Sequence, residues 1–300
     1  MQASKDALQR VKSTPALVYE FFGTALQVYA FNLGVNNPTG QYIQIFEYRA
    51  FAYLIGWILA YHISGAEFNP AITIASFIVK RDWSKVAFVG AKLISQVLGA
   101  LFGILVVFAL VNDKGTYLLK PRVGDPMYTD LISLDVYWGR LIAYEVFLTF
   151  LFTLIYLILR FEADMRKVDR LIKGFGACFA LLVSLKMSAN SGGCLNPALG
   201  LAQSIYMIGL ENRSGSTQGS TDAKYMWVYI LGPFLGACLA SLFFRLHDFI
   251  ERNEYVQSQP MQFVGLLHSD ISTPGKEQLQ LSAADMSGAQ NEVERSKVWS

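Results

Sequence analysis

Six long apolar runs, separated by polar stretches, dominate the chain, at about 15–35, 50–66, 86–111, 136–159, 171–189 and 225–246. Most can cover the ~30 Å of bilayer hydrocarbon at 1.5 Å per residue, which predicts membrane-spanning helices. The second and fifth are short. Each runs on into a further apolar segment of about two and a half helical turns, itself too short to cross. The pattern predicts an all-α membrane protein with six transmembrane helices and two re-entrant half-helices.

The two short segments share a motif. Residues 64–71 read Ser-Gly-Ala-Glu-Phe-Asn-Pro-Ala and residues 191–198 read Ser-Gly-Gly-Cys-Leu-Asn-Pro-Ala, placing Asn69 and Asn196 127 residues apart. Asparagine caps a helix and proline fits its first turn, so each motif reads as a half-helix start. Upstream, Glu20 and Thr24 form Glu-x-x-x-Thr, with Glu20 49 residues before Asn69. Glu145 and Thr149 repeat the pattern, with Glu145 51 residues before Asn196. A carboxylate inside a membrane helix is costly unless satisfied, so two at equivalent places point to one structural task performed twice. With three spans per half, the second half enters from the opposite side: an inverted repeat.

These motifs resemble the aquaporin, or major intrinsic protein, family. Gln96 followed by Gly99-Ala100 is similar to the family's third helix, and Gly232-Pro233-Phe234-Leu235-Gly236-Ala237 to its sixth. The resemblance covers roughly residues 15–247, with a polar segment at 1–14 before it and a polar tail at 248–300 after it. The first repeat spans about 15–111 and the second about 136–247. Gly99 with Gly103, and Gly232 with Gly236, have the spacing of close helix crossings.

The resemblance implies a passive channel for water or small neutral solutes. Asn69, Pro70 and Ala71 then meet Asn196, Pro197 and Ala198 near the midplane, and Glu20 and Glu145 accept hydrogen bonds from the re-entrant backbone. Two half-helix N-termini, each carrying about half a positive charge, oppose a cation there, and the asparagine amides orient water. His62 matches a pore-lining histidine of the family. The family's usual assembly is a homotetramer, with the lipid bilayer as its surroundings.

The chain departs from the family at the constriction. Leu199 follows the second Asn-Pro-Ala where arginine is usual, and Gly200 stands where glycerol-type members carry aspartate. The other three constriction positions fall on Gly193, Ser184 and Arg49. Either Arg49 supplies the missing arginine from the second helix, or it snorkels to the interface or pairs with Glu47. If Ser184 faces the pore, Lys186, about 200° round the helix, faces a neighbour. Glu67 either attracts cations or pairs with a loop lysine, with pairing the expectation. Lys92 is expected to snorkel from a helix start.

Charge placement orients the chain. Eleven basic residues, from Lys5 to Lys173, fall on one side: Lys5, Arg10, Lys12, Lys80, Arg81, Lys85, Arg160, Arg166, Lys167, Arg170 and Lys173. Six, Lys114, Lys120, Arg122, Arg140, Arg213 and Lys224, fall on the other. The positive-inside rule places both termini on the cytoplasmic, or organelle-equivalent, side. No signal peptide is visible. Only 16% of residues are charged and 53% are hydrophobic, below the quarter charged of soluble domains. The three cysteines (Cys178, Cys194, Cys238) all lie in apolar or pore-forming segments, so no disulfide framework is expected. Cys194 is either a reactive pore-facing thiol or a packing residue.

No cofactor, metal or nucleic acid is expected, and no acid–base or nucleophile constellation marks an enzyme. The alternative to a channel is a poorly conducting scaffold or subunit of a larger membrane complex. Asn212-Arg213-Ser214 forms a glycosylation sequon in a Ser/Gly-rich loop, and the tail has the composition of disorder.

Overall fold

The computed structural model describes residues 2–36, 42–44, 46–110, 119, 134–188, 190–213 and 225–258. Among them are eight α-helices: α1 (Gln2–Phe31), α2 (Phe46–Ala60), α3 (Pro70–Lys80), α4 (Val86–Leu110), α5 (Leu134–Phe161), α6 (Arg170–Met187), α7 (Pro197–Arg213) and α8 (Met226–Ser258). Six are the spans and two, α3 and α7, are the half-helices. Two three-residue strands, β1 (Gly34–Asn36) and β2 (Tyr42–Gln44), pair antiparallel between α1 and α2, with Gly34 opposite Gln44. This hairpin lies in a polar connection, where the apolar pattern carries no signal. Lys114, Lys120, Arg122, Lys224, the side chains of the 212–214 sequon and the tail from 259 lie outside the described residues. Residues 1–244 form one compact unit, and the end of α8 from Arg245 belongs to a second.

Among the described residues, three stretches are long and apolar enough to cross a membrane unaided: Trp83–Leu110, Gly139–Phe161 and Met226–Glu251. By contrast α3 has 11 residues, about 16 Å of helix. Its start follows from Asn69, whose backbone is extended (φ −157°) and whose Oδ1 accepts from the Ala71 N–H, with Pro70 in the first turn. Its end follows from Arg81 in the left-handed region, returning its N–H to Phe77 O.

Polar groups lie buried among the apolar core, and large apolar side chains face outward. Glu20, Thr24, Gln27, Asn32, Gln96, Glu145, Thr149 and Gln203 are buried, whereas Phe22, Ile94, Leu98, Leu105, Leu235, Leu239 and Leu242 are exposed. Exposed apolar side chains on several spans form a surface suited to lipid. Helix α1 packs on α4 and α2, α2 on α6, α5 on α6, and α4 on α7, while α3 touches α4, α5 and α7.

The two halves share close crossings. A Cβ added at Gly99 would lie 2.2 Å from Phe21 O, and one at Gly236 would lie 2.3 Å from Val146 O. Phe21 and Val146 directly follow the two buried glutamates, so each glycine brings a neighbouring helix against the same turn of its repeat. The turn before each half-helix repeats as well. Gly65 and Gly192 have φ of 100° and 99°, Ala66 and Gly193 of 54° and 76°, and Phe68 and Leu195 of 49° and 53°. Each pair is 127 residues apart. Left-handed conformations at Ala, Phe and Leu are uncommon, so their recurrence at one offset marks a repeated backbone design.

Candidate functional site

The two asparagines meet. Asn69 Nδ2 donates to Leu195 O at 2.8 Å, and Asn196 Nδ2 donates to Phe68 O at 2.9 Å. Each Oδ1 is held by its own half-helix: Asn69 accepts from Ala71 N at 2.9 Å, and Asn196 from Ala198 N at 3.0 Å. An amide nitrogen carries two hydrogens. One of each is used on the opposite loop. Pro70, Ala71, Pro197 and Ala198 are buried in the first turns behind them.

Beneath each loop lies a carboxylate. Glu20 Oε1 accepts from Glu67 N at 3.1 Å and Oε2 from Phe68 N at 2.7 Å. Gln96 Nε2 bridges Glu20 Oε2 at 2.7 Å and Thr73 Oγ1 at 2.8 Å. In the second half Glu145 Oε2 accepts from Leu195 N at 2.8 Å, and its Oε1 from Cys194 N at 3.3 Å and Ser191 Oγ at 2.7 Å. These N–H groups precede the half-helices, so no helical ladder serves them. The buried carboxylates satisfy them.

Lys92 is where the structure corrects the sequence. It does not snorkel: it is 4% exposed, and its Nζ donates to Glu67 Oε2 at 2.5 Å and to Ser64 O at 2.9 Å, with Glu20 Oε1 at 3.6 Å. Glu67 therefore pairs with a helical lysine rather than one in a loop. The reason is positional. Lys92 is one turn from Gln96 on the inward stripe of α4, and two facing buried carboxylates need a cation between them.

Of the two alternatives for Arg49, the structure discards the interfacial one: Glu47 pairs with Lys186 at 2.6 Å instead, and Arg49 is 2% exposed. Its Nη1 donates to Gly193 O at 2.7 Å and its Nη2 to Cys194 O at 2.8 Å, with the guanidinium 5.5 Å from the Phe31 ring centroid. Arg49 shares the inward stripe of α2 with the buried Tyr53 and Trp57, at helical spacing, while Glu47 falls off that stripe. Of the guanidinium's five N–H donors, two are spent on the second re-entrant loop, and Nε has no partner among the described residues.

The other constriction positions differ in role. Gly193 presses against Phe46, where an added Cβ would come within 2.9 Å of the ring. Ser184 is fully buried with an unpartnered Oγ. Leu199 sits in a buried apolar cluster with Val28, Phe31, Val228 and Tyr229. Cys194 belongs to the same cluster and its Sγ donates to Asn196 O at 3.2 Å, so its contacts are those of a packing residue. His62 is exposed, 5.3 Å edge-on from Tyr61, and borders a cavity beside the start of the first re-entrant turn.

Three tyrosines that brace the re-entrant turns gave no sequence signal. Tyr53 Oη donates to Ala66 O at 3.0 Å, Tyr156 Oη to Gly65 O at 2.9 Å, and Tyr229 Oη to Ser191 O at 2.6 Å. Gln203 Nε2 donates to Asn32 Oδ1 at 2.7 Å. Aromatic residues are abundant in any membrane span, so only proximity to a loop carbonyl singles these out. Gln203, by contrast, is a buried amide in an apolar half-helix, a signal open to the sequence.

Comparison with known proteins agrees with this architecture. A family profile described as major intrinsic protein matches residues 7–244. A glycerol uptake facilitator protein-like 6 of Lactiplantibacillus plantarum is 28% identical over 224 residues, covering 74% of this chain and 93% of that protein. Aquaporin-2 of Botryotinia fuckeliana is 31% identical over 197 residues, covering 65% of this chain and 44% of that one. The aquaglyceroporin of Plasmodium falciparum superposes with a TM-score of 0.62 at 20% identity, over 77% of this chain and 95% of that one. With two capped half-helices joined through their asparagines inside a lipid-facing bundle, the chain is an integral membrane protein of the major intrinsic protein family.

Proposed function

We propose that the chain is a passive transmembrane channel for water or small neutral solutes. The observation that carries this reading is the reciprocal pair of amide bonds between Asn69 and Asn196 and the opposite loops. Two half-helix N-termini meet there, each equivalent to about half a positive charge. A dehydrated cation is repelled, while a neutral solute accepts from the free amide hydrogens. Water held this way points its own hydrogens outward from both sides, which interrupts proton hopping.

Arg49 is proposed as the second barrier. Its bonds to Gly193 O and Cys194 O support a cation fixed on the second re-entrant loop from α2, in a chain that carries Leu199 after the second Asn-Pro-Ala. Phe46 borders Gly193 in the same region, Ser184 is proposed to complete that constriction, and His62, at the α5–α6 cavity, is proposed to line the other mouth. Arg49 weakens the scaffold alternative, because a cation meets the second loop despite Leu199. Termini on the cytoplasmic side and a homotetramer are part of this proposal, supported by the charge count and the family.

The test is osmotic shrinkage of proteoliposomes with water, and separately with glycerol and urea gradients. The wild type is expected to shrink or reswell faster than lipid alone, and Asn69→Leu with Asn196→Leu to abolish the difference. Folded, inserted wild type that matches bare lipid for all three solutes would remove the channel reading.

A further inference from the structure

A cavity of about 460 Å³, within the size range of small-ligand sites, opens where α5 hands over to α6. Arg160, Arg166, Arg170 and Lys173 line it together with His62 and Tyr61. The lining also includes one carboxylate, Asp169, and that group is occupied as the cap of α6, accepting from Leu171 N at 2.7 Å. Four cations therefore face one committed anion.

Two of the cations, Arg160 and Lys173, are held in place without an ion pair. Among the described residues none of the four forms an ion pair within 4.0 Å. Lys173 is only 4% exposed, yet its Nζ has a single bond, to Tyr61 Oη at 3.4 Å. Arg160 lies over the same tyrosine, 4.9 Å from its ring centroid, donates to Tyr61 O at 3.3 Å, and leaves Nε without a partner. The floor is rigid: Trp57 stacks on Tyr61 at 4.5 Å and its Nε1 donates to Arg170 O at 2.9 Å. A buried lysine without a counter-charge is unfavourable unless a ligand supplies one. Planar guanidinium groups flanking an ammonium match the several oxygens of a phosphate better than a single carboxylate.

We propose that this cavity binds a phosphate ester dianion, presented either by a phosphoinositide headgroup or by a free phosphate ester. Arg160 and Lys173 form the fixed base of the site, and the exposed Arg166 and Arg170 close over the anion. The positive-inside assignment puts this mouth on the leaflet that carries anionic inositol lipids. The channel reading enters only through the consequence, slower solute passage when the mouth is occupied. The binding itself does not depend on it.

The full-length protein is placed in phosphatidylcholine nanodiscs and titrated with inositol 1,4,5-trisphosphate, following tryptophan fluorescence. A parallel set of discs contains phosphatidylinositol 4,5-bisphosphate, with thermal stability as the readout. Lys173→Gln and the exposed Arg166→Gln are each expected to weaken binding about tenfold. Lys167→Gln, which removes a neighbouring charge outside the cavity, is expected to leave it unchanged. Saturable binding of the soluble probe with this pattern assigns a free phosphate ester. Stabilisation confined to the phosphoinositide discs, with the same pattern, assigns the headgroup. No saturable binding in either arm, or equal weakening by all three variants, overturns the site. Both readouts are independent of flux, so failure here is distinct from failure to conduct.

Discussion

The two repeats hold the same backbone turn by different chemistry. In the first, the turn rests on Glu20, and Ser64 O accepts from Lys92, whose ammonium also neutralises Glu67. In the second, the turn rests on Glu145, and Ser191 O, 127 residues after Ser64, accepts from the neutral Tyr229. Where the first repeat has Glu67 the second has Cys194. The lysine accompanies the extra carboxylate, and without one a phenol does its work. The second loop has its own cation in Arg49, but this reaches in from α2, which belongs to the other repeat. What is fixed by the fold is a set of carbonyls and N–H groups that helices cannot satisfy. How they are satisfied is free to vary, and function is built from that freedom.

The largest expected effect comes from breaking the charged half. Lys92→Met leaves Glu20 and Glu67 facing each other without a cation, a loss of about 3–5 kcal/mol, read as a lower unfolding temperature in detergent. Combining it with Glu67→Cys, which copies the second repeat, is expected to recover most of that loss. A double variant no more stable than the single would break the comparison. Of comparable size, Arg49→Met removes two charge-assisted bonds, each worth about 1.5–3 kcal/mol, from the second loop alone. It is expected to admit monovalent cations, measured as current in planar bilayers.

Smaller effects sharpen the neutral half. Tyr229→Phe leaves Ser191 O unsatisfied, at about 1–3 kcal/mol, so its thermal shift should be clearly below that of Lys92→Met. Cys194→Ala trims a well-packed group and is expected to cost about 1 kcal/mol or less. A thiol reagent applied to wild type should leave flux unchanged, because the sulfur is fully buried. Rapid inhibition that Cys194→Ala abolishes would return Cys194 to the pore wall.

Much of the site was legible because it repeats. Asn69 and Asn196, with Glu20 and Glu145, announce themselves as polar groups placed twice at matched spacing in an apolar chain. Arg49 and Lys92 were visible as charges in spans, but their partners were not. Snorkelling and inward pairing differ only in which way one face of a helix turns. Arg49 reaches residues 144 and 145 positions away in sequence, and no local pattern encodes that. Tyr53, Tyr156 and Tyr229 were hidden for another reason: a phenol suits the lipid side of a span as well as its interior.

The sequence by itself determined the spans, the two half-helix starts and the inverted repeat. Each of these follows from local rules of apolar run length, proline and asparagine at a helix start, and the cost of a carboxylate in hydrocarbon. Only the tertiary structure decided that Lys92 neutralises Glu67, that Arg49 rather than a residue of the half-helix holds the second loop, and that Leu199 and Cys194 pack away from solvent. Burial makes an unpaired charge or carbonyl costly, but which partner relieves it depends on distances between helices that meet only when the chain has folded.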